Sequence, residues 1–115
     1  MAMLEICEIE NQWIESNKKK IALLVLLEYS YPEIVDMISN SKITEEDLLV
    51  TVEYALDFES RHWAEKAVAW IESGLNINQD IYYKLRDIST NKRDSQNLRH
   101  RSTKQANKWG RANGI

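Results

Sequence analysis

The sequence contains very little cysteine, proline and glycine, and each scarcity excludes a class of protein. Of the 115 residues, one is Cys, one is Pro and three are Gly. With a single thiol, Cys7, neither a disulfide within the chain nor a Cys-based zinc site can form. Three Gly and one Pro are too few for a turn-rich β-sandwich or for a glycine-rich phosphate loop.

The overall composition is typical of a small globular domain. Hydrophobic residues make up 43% of the chain and charged residues 29%, unlike a disordered or membrane-spanning chain. The apolar run Ile21–Leu27 follows Lys18–Lys20 but has only seven residues, against about 20 for a membrane span. It starts late, follows an acidic segment and lacks a cleavage site, so we do not interpret it as a secretion signal. With a single thiol, this leads us to expect a cytoplasmic protein without a membrane partner.

Apolar residues recur at helical spacing along the chain, and no stretch alternates like a half-buried strand. The first predicted helix covers residues 3–16. Its outer face is acidic, through Glu5, Glu8, Glu10 and Glu15. A second helix, Ile21–Tyr29, is apolar almost all round and is expected at the centre of the fold. Pro32 is expected at the first position of a short third helix that ends at Ile38.

The clearest local signal is the start of a fourth helix. Thr44 is an expected N-cap, and Asp47 stands at the position that completes a capping box. Ile43 and Leu48 occupy the two positions of a hydrophobic staple. The helix is predicted to run to about Phe58.

Two further helices follow, joined by short connections. Ser60 is the expected cap of the first, Gly74 is its expected stop, and Asn78 is the expected cap of the second. Connections of about two to six residues favour neighbouring antiparallel helices. The predicted fold is therefore all-α: a single domain of about five to seven short helices stacked as antiparallel hairpins, in a bundle or a short helical solenoid.

Residues 70–80, with the sequence WIESGLNINQD, resemble the end of an ankyrin repeat, where a helix closes in an LLxxGAxxN-like turn. A fainter echo at a spacing of 33 residues relates residues 33–41 to residues 66–74. The Thr-Pro-Leu-His element of that family is missing upstream, where Thr51–Leu56 reads TVEYAL. The resemblance implies a protein-binding role rather than catalysis.

Charge is distributed unevenly along the chain, although the net charge is only −3. Residues 1–83 hold 16 acidic and 6 basic side chains, a formal charge of −10. Residues 84–115 hold 2 acidic and 9 basic side chains, a formal charge of +7. We therefore divide the chain into an acidic helical body, residues 1–88, and a basic polar C-terminal segment, residues 89–115. We expect the latter to be a helix or extension packed on the same domain.

Three interpretations of this asymmetry stay open. The basic segment can lie on the acidic helices, anchored by Leu98 and Trp109, so that the two fields largely cancel. The acidic body can instead attract a basic protein, because complementary fields raise association rates and select partners. In the third interpretation the segment is an arm that contacts nucleic-acid phosphates and stacks a base on Trp109, although the acidic body would repel the same ligand. The residues of this arm are Lys92, Arg93, Arg99, Arg101, Lys104, Lys108, Trp109 and Arg111.

Carboxylates are abundant, but motifs for catalysis or metal binding are scarce. Glu59 and His62 form a Glu-x-x-His pair of the kind found in helical metal sites, but such sites need a second pair. The other histidine, His100, is preceded at the matching position by Asn97. No nucleophile motif or zinc-ligand spacing is present. We therefore expect no enzymatic activity, no metal and no cofactor.

These features favour a non-catalytic protein-binding module whose acidic helical surface engages a basic protein. The most concrete form is an immunity or antitoxin-type inhibitor that covers the nucleic-acid-binding surface of a nuclease toxin. The alternatives are a nucleic-acid-associated accessory protein that uses the basic arm, and a structural subunit of a larger assembly; the oligomeric state stays open. The predicted partner-binding residues are Glu45, Glu46, Glu53, Tyr54, Asp57 and Glu59.

Overall fold

The computed structural model describes residues 24–114, and all regular structure in this range is helical. A short 3₁₀ turn, Val25–Glu28, precedes five α-helices. These are α1 (Tyr31–Ile38), α2 (Glu45–Asp57), α3 (Arg61–Glu72), α4 (Gln79–Thr90) and α5 (Gln96–Ala112). The prediction of an all-α fold is confirmed. The predicted helix at residues 3–16, together with Cys7, lies outside the described residues.

Helices α2 to α5 form two hairpins that stack on each other. Helix α2 packs against α3, and α4 packs against α5. Helix α2 also packs against α4, and α3 against α5, so the first helices of the two hairpins form one layer and the second helices form another. Helices α2 and α5 consequently occupy opposite corners of the stack. This is the neighbour pattern of a helical solenoid rather than of an up-and-down four-helix bundle.

The spacing of the helix caps gives the period of this stack. The N-caps of α2 and α4 are Thr44 and Asn78, 34 residues apart. The N-caps of α3 and α5 are Ser60 and Ser95, 35 residues apart. The repeating unit is therefore one hairpin of about 34 residues. The sequence echo at a spacing of 33 residues relates a different pair of helices, α1 and α3. These two helices differ in length, since α1 has 8 residues and α3 has 12.

Local capping chemistry explains where these helices begin and end. The capping box of α2 is present: the Asp47 amide donates to Thr44 Oγ1 at 3.2 Å, and the Thr44 amide donates to Asp47 Oδ2 at 3.0 Å. The Asn78 side chain caps α4, and Gly74 ends α3 with a φ of +118°, a conformation that favours glycine. Ser60 occupies the N-cap of α3, but its side chain makes no capping hydrogen bond.

One predicted feature near the start of the described range needs correction, and another is described only in part. Of the predicted helix Ile21–Tyr29, Leu24 is α-helical and Val25–Glu28 forms the 3₁₀ turn. This turn ends because the backbones of Tyr29 and Ser30 are extended, and the Ser30 side chain caps α1. Pro32 is the second residue of α1 rather than the first, because the helix begins at Tyr31. In this second position its missing N–H still costs no helical hydrogen bond.

The core contains apolar side chains from the 3₁₀ turn and all five helices. Its largest fully buried side chains are those of Trp70, Leu26, Leu27, Ile34, Leu48, Leu56, Ile81, Leu85, Leu98, Val52 and Val68. Trp63, which the spacing places on the same helix face as Trp70, is only half-buried at the edge of this core. Between Leu24 and Gly114, the helices are too short or too polar to cross a bilayer.

Candidate functional site

Helix α2 presents a row of carboxylates on one side. It carries five acidic side chains and no basic one. Glu46, Glu53 and Asp57 are separated by seven and four residues, which places them within a sector of roughly 40° along about 16 Å of helix. Glu46 and Asp57 are exposed and Glu53 is half-buried, while Glu59 is exposed in the turn that follows. We call Glu46, Glu53, Asp57 and Glu59 the acidic face.

Glu45 does not belong to the acidic face. The hydroxyl of Tyr31 donates to Glu45 Oε1 at 2.9 Å, which ties α1 to the first turn of α2. Partial burial, together with the hydrogen bond to Glu45 and its charge, raises the pKa of Tyr31 to about 12. Below about pH 10 the hydroxyl is protonated in both the folded and the unfolded chain, and the bond stabilises the fold fully. This stabilisation is lost as the pH rises towards 12.

The substitution Glu45→Gln should lower the pKa of Tyr31 towards its ordinary value of about 10, because it removes the negative charge that opposes ionisation. The measurement is the absorbance of tyrosinate against pH. The curve of the matching chain that also carries Tyr31→Phe is subtracted, so that only Tyr31 contributes to the difference. An unchanged pKa in the Glu45→Gln chain would mean that Tyr31 and Glu45 do not interact in solution.

An aromatic pocket borders the acidic face. The rings of Tyr54 and Phe58 lie 5.5 Å apart between centroids. With Asp57 and Glu59 they line a surface pocket of about 310 Å³. A Lys or Arg side chain gains from both features, because aromatic ring faces and carboxylates each attract cations. Phe58 was missed in the sequence analysis, although its spacing of four residues from Tyr54 is the signal for a shared helix face.

One cation of the protein itself already lies beside the acidic face. Lys84 of α4 forms an ion pair with Asp57. The hydrogen bond to Asp57 and the nearby charges of Glu53 and Asp80 raise the pKa of Lys84, against a smaller opposing effect of burial. Lys84 therefore remains charged at neutral pH and offsets part of the negative potential of this face.

Two residues assigned to the basic arm bond to other elements of the fold, and Arg93 lies 4.0 Å from its neighbour Asp94. Arg101 of α5 donates to both carboxylate oxygens of Glu72 on α3, at 2.8 and 3.1 Å. Trp109 donates through Nε1 to the carbonyl oxygen of Ile77 at 3.2 Å, and its ring centroid lies 4.9 Å from that of Tyr82. Both side chains thus help to hold α5 on the stack.

The other basic residues of the arm fall into three groups. The Nε atom of Arg99 is buried and has no hydrogen-bond partner among the described residues. Lys92 and Arg93 line a pocket of about 490 Å³ that also contains the carboxylates of Asp57 and Asp87. The remaining three lie exposed on α5: Lys104, Lys108 and Arg111.

His62 pairs with a residue other than the one its spacing suggests. Its Nε2 atom lies 3.1 Å from Glu28 Oε1, at the end of the 3₁₀ turn. Both side chains are about half exposed. In residues 24–114, no three His, Cys, Asp or Glu side chains come together in a group that could hold a metal ion.

The most buried ion pair of the described chain was not predicted. Arg61, at the start of α3, forms a bidentate pair with Asp94, in the loop between α4 and α5. The Asp94 side chain is fully buried. The only sequence signal for this pair is that Asp94 is one of two carboxylates in the basic C-terminal stretch. The pair joins the two hairpins at one edge of the stack.

Within residues 24–114, these features define a helical stack of two hairpins, with an acidic face on one corner and exposed cations on the opposite corner. No family model matches the chain, and neither the curated proteins nor the solved structures contain a match.

Proposed function

We propose that this protein is a non-catalytic, cytoplasmic binding module whose acidic face engages a basic protein. The most concrete form is an immunity or antitoxin-type inhibitor of a nuclease toxin. The observation that carries the proposal is the arrangement on α2, where three carboxylates share one stripe and a fourth follows beside the pocket of Tyr54 and Phe58.

This arrangement combines the two elements of a specific interface. Aromatic side chains in a pocket provide the desolvated centre that dominates binding energy in protein interfaces. Carboxylates around the centre attract a basic partner, and such steering raises association rates by about 10 to 1,000-fold at low salt. An inhibitor of this kind needs no catalysis, because its carboxylates occupy positions that the partner uses for phosphates.

The position of α5 leaves the acidic face available. Helix α5 packs on α3 and α4, at the corner of the stack opposite α2. Its cations therefore do not cover the carboxylates of α2. Lys84 is paired with Asp57 of this face, and a basic partner competes with it there.

Charge reversal on the acidic face, through Glu46→Lys and Glu53→Lys together, should slow association with the partner at least about 10-fold at low salt. Lys84→Ala should act in the opposite direction and speed association, because it uncovers Asp57. The partner is first isolated by affinity capture from nuclease-treated lysate of the source cells, and its association rates are then measured by surface plasmon resonance.

A matched control carries the same charge change on another surface. Glu33→Lys and Asp36→Lys together alter α1 by the same amount and should leave the association rate nearly unchanged. If the protein is a nuclease inhibitor, the captured partner should degrade nucleic acid when it is alone. Addition of the wild-type chain should stop this degradation. Equal rates for the α2 and α1 variants would exclude the acidic face as the binding surface.

A further inference from the structure

The exposed side of α5 is a second surface with the opposite charge. The helix carries five basic residues and no acidic one over its 17 residues. Leu98, Ser102, Ala106 and Gly110 form its buried stripe. Lys104, Lys108 and Arg111 lie on the other side, exposed to solvent. We call these three residues the basic stripe.

Three carboxylates near α5 have cationic partners. Arg101 pairs with Glu72 and lies 4.0 Å from Glu65, and Arg61 pairs with Asp94. The acidic face lies across the diagonal of the stack, a distance of roughly 13 Å between helix axes if neighbouring axes are about 8–10 Å apart. Since the screening length is about 8 Å in physiological salt, the acidic face barely weakens the potential at the basic stripe.

The composition of this surface distinguishes among anionic ligands. Its other exposed side chains are polar, through Asn97, His100 and Asn107, and the exposed large hydrophobic residues of the described chain all lie outside α5. A membrane-surface helix exposes an apolar face for insertion, and a protein interface has an apolar or aromatic centre. The exposed side of α5 has no large hydrophobic side chain, and the apolar pocket of about 200 Å³ beside Lys108 lies at its edge, where Ile77 and Trp109 line it. Interfaces with nucleic-acid backbones are instead polar and strongly basic, and use Lys, Arg and Asn on phosphate oxygens.

We propose that the basic stripe, Lys104, Lys108 and Arg111, binds the phosphate backbone of a nucleic-acid duplex without reading its sequence. The stripe spans about 10 Å along the helix axis, which matches about three phosphates of one strand at 3.4 Å of rise each. Trp109 takes no part, because its Nε1 atom and its ring are engaged by Ile77 and Tyr82. A duplex is therefore favoured over a single strand, whose binding relies on stacking of bases on aromatic rings.

The test is fluorescence anisotropy of a labelled 20-base-pair DNA duplex titrated with the whole chain at several salt concentrations. Three phosphate contacts predict a slope of about −2.7 for log affinity against log salt, or about 40-fold weaker binding at 200 mM than at 50 mM salt. The variant K104Q/K108Q should bind at least about 10-fold more weakly at 50 mM salt, and its slope should fall to about −1.

A control of equal net charge separates the stripe from the overall charge. The variant V35E/N40D adds two negative charges at exposed positions on α1 and in the turn after it, away from α5, and should keep the wild-type slope. Circular dichroism checks that both variants keep their helices. Because α2 is unchanged in both, the outcome is independent of the proposed partner of the acidic face.

Several results would overturn the proposal. One is no duplex binding at 50 mM salt, and another is equal binding by K104Q/K108Q and wild type. Tighter binding to phosphatidylserine vesicles, to poly-L-glutamate or to a single-stranded 20-mer would assign the stripe to a membrane, an acidic protein or unpaired bases instead. Self-association that depends on Lys104 and Lys108, and that the duplex does not reverse, would assign the stripe to a second copy of the chain.

Discussion

Replacing Asp94 by alanine should lower the free energy of unfolding by about 3–5 kcal/mol. The carboxylate of Asp94 is fully buried and accepts from Nε and Nη2 of Arg61, at 2.5 and 3.2 Å. The same guanidinium donates through Nη1 to the carbonyl oxygens of Leu56 and Phe58, at 3.2 and 2.8 Å. Removing the carboxylate leaves a largely buried cation without its counter-charge, so the cost of desolvating the cation is no longer compensated.

Urea denaturation followed by circular dichroism measures this loss. Asp87→Ala is the matched control, because it removes an exposed carboxylate from α4 and should change stability by no more than about 0.5 kcal/mol. The double variant Arg61→Met with Asp94→Leu should cost less than the sum of its single substitutions, because neither charge is left buried alone. A loss below about 1 kcal/mol for Asp94→Ala would show that the pair does not hold the hairpins together.

The pair matters because of where its two partners lie. Arg61 follows the turn of the first hairpin, and Asp94 lies in the turn of the second. Their bond therefore fixes the stacking of one hairpin on the other at the edge where both turns meet. The two charged corners of the protein keep their separation only while this stacking holds.

Helix positions were largely predictable because short-range chemistry sets them. The capping box of Thr44 and Asp47 and the positive φ at Gly74 each depend on a few neighbouring residues. The types of these residues are therefore enough to predict the helix ends. Where the local signal was ambiguous, prediction was poorer. The run before Tyr29 is apolar almost all round, so no period indicated that its described end passes from α-helix at Leu24 into a 3₁₀ turn.

The composition of the candidate site was only partly predictable, because it depends on how each helix is rotated and what packs beside it. The spacing of Glu46, Glu53 and Asp57 places them together on one face. The contacts of Glu45 and Lys84 could not be predicted in this way. Glu45 bonds to Tyr31, 14 residues away, and Lys84 of α4 bonds to Asp57, 27 residues away. No local pattern encodes contacts at such separations.

The second large effect is expected at Trp70, where Trp70→Ala should destabilise the protein by about 3–5 kcal/mol. The side chain is 1% exposed, so its removal leaves a cavity that the surrounding core fills only in part. Trp70 also donates through Nε1 to the carbonyl oxygen of Tyr29 at 2.8 Å, and its ring lies 6.0 Å from that of Tyr31. It thereby joins the chain between the 3₁₀ turn and α1 to the first hairpin.

Two variants separate these contributions. Trp70→Phe keeps most of the packing but removes the donor, and should cost about 1–3 kcal/mol through the unpaired carbonyl of Tyr29. Trp63→Ala removes a half-buried indole from the same helix and should cost clearly less than Trp70→Ala. Because Trp70 contacts both Tyr29 and Tyr31, amide hydrogen exchange in residues 24–38 should accelerate more than in α4 and α5 when Trp70 is lost. Equal acceleration throughout the chain would mean that the N-terminal segment and the hairpins unfold as one unit, and that Trp70 supports the whole core rather than this junction.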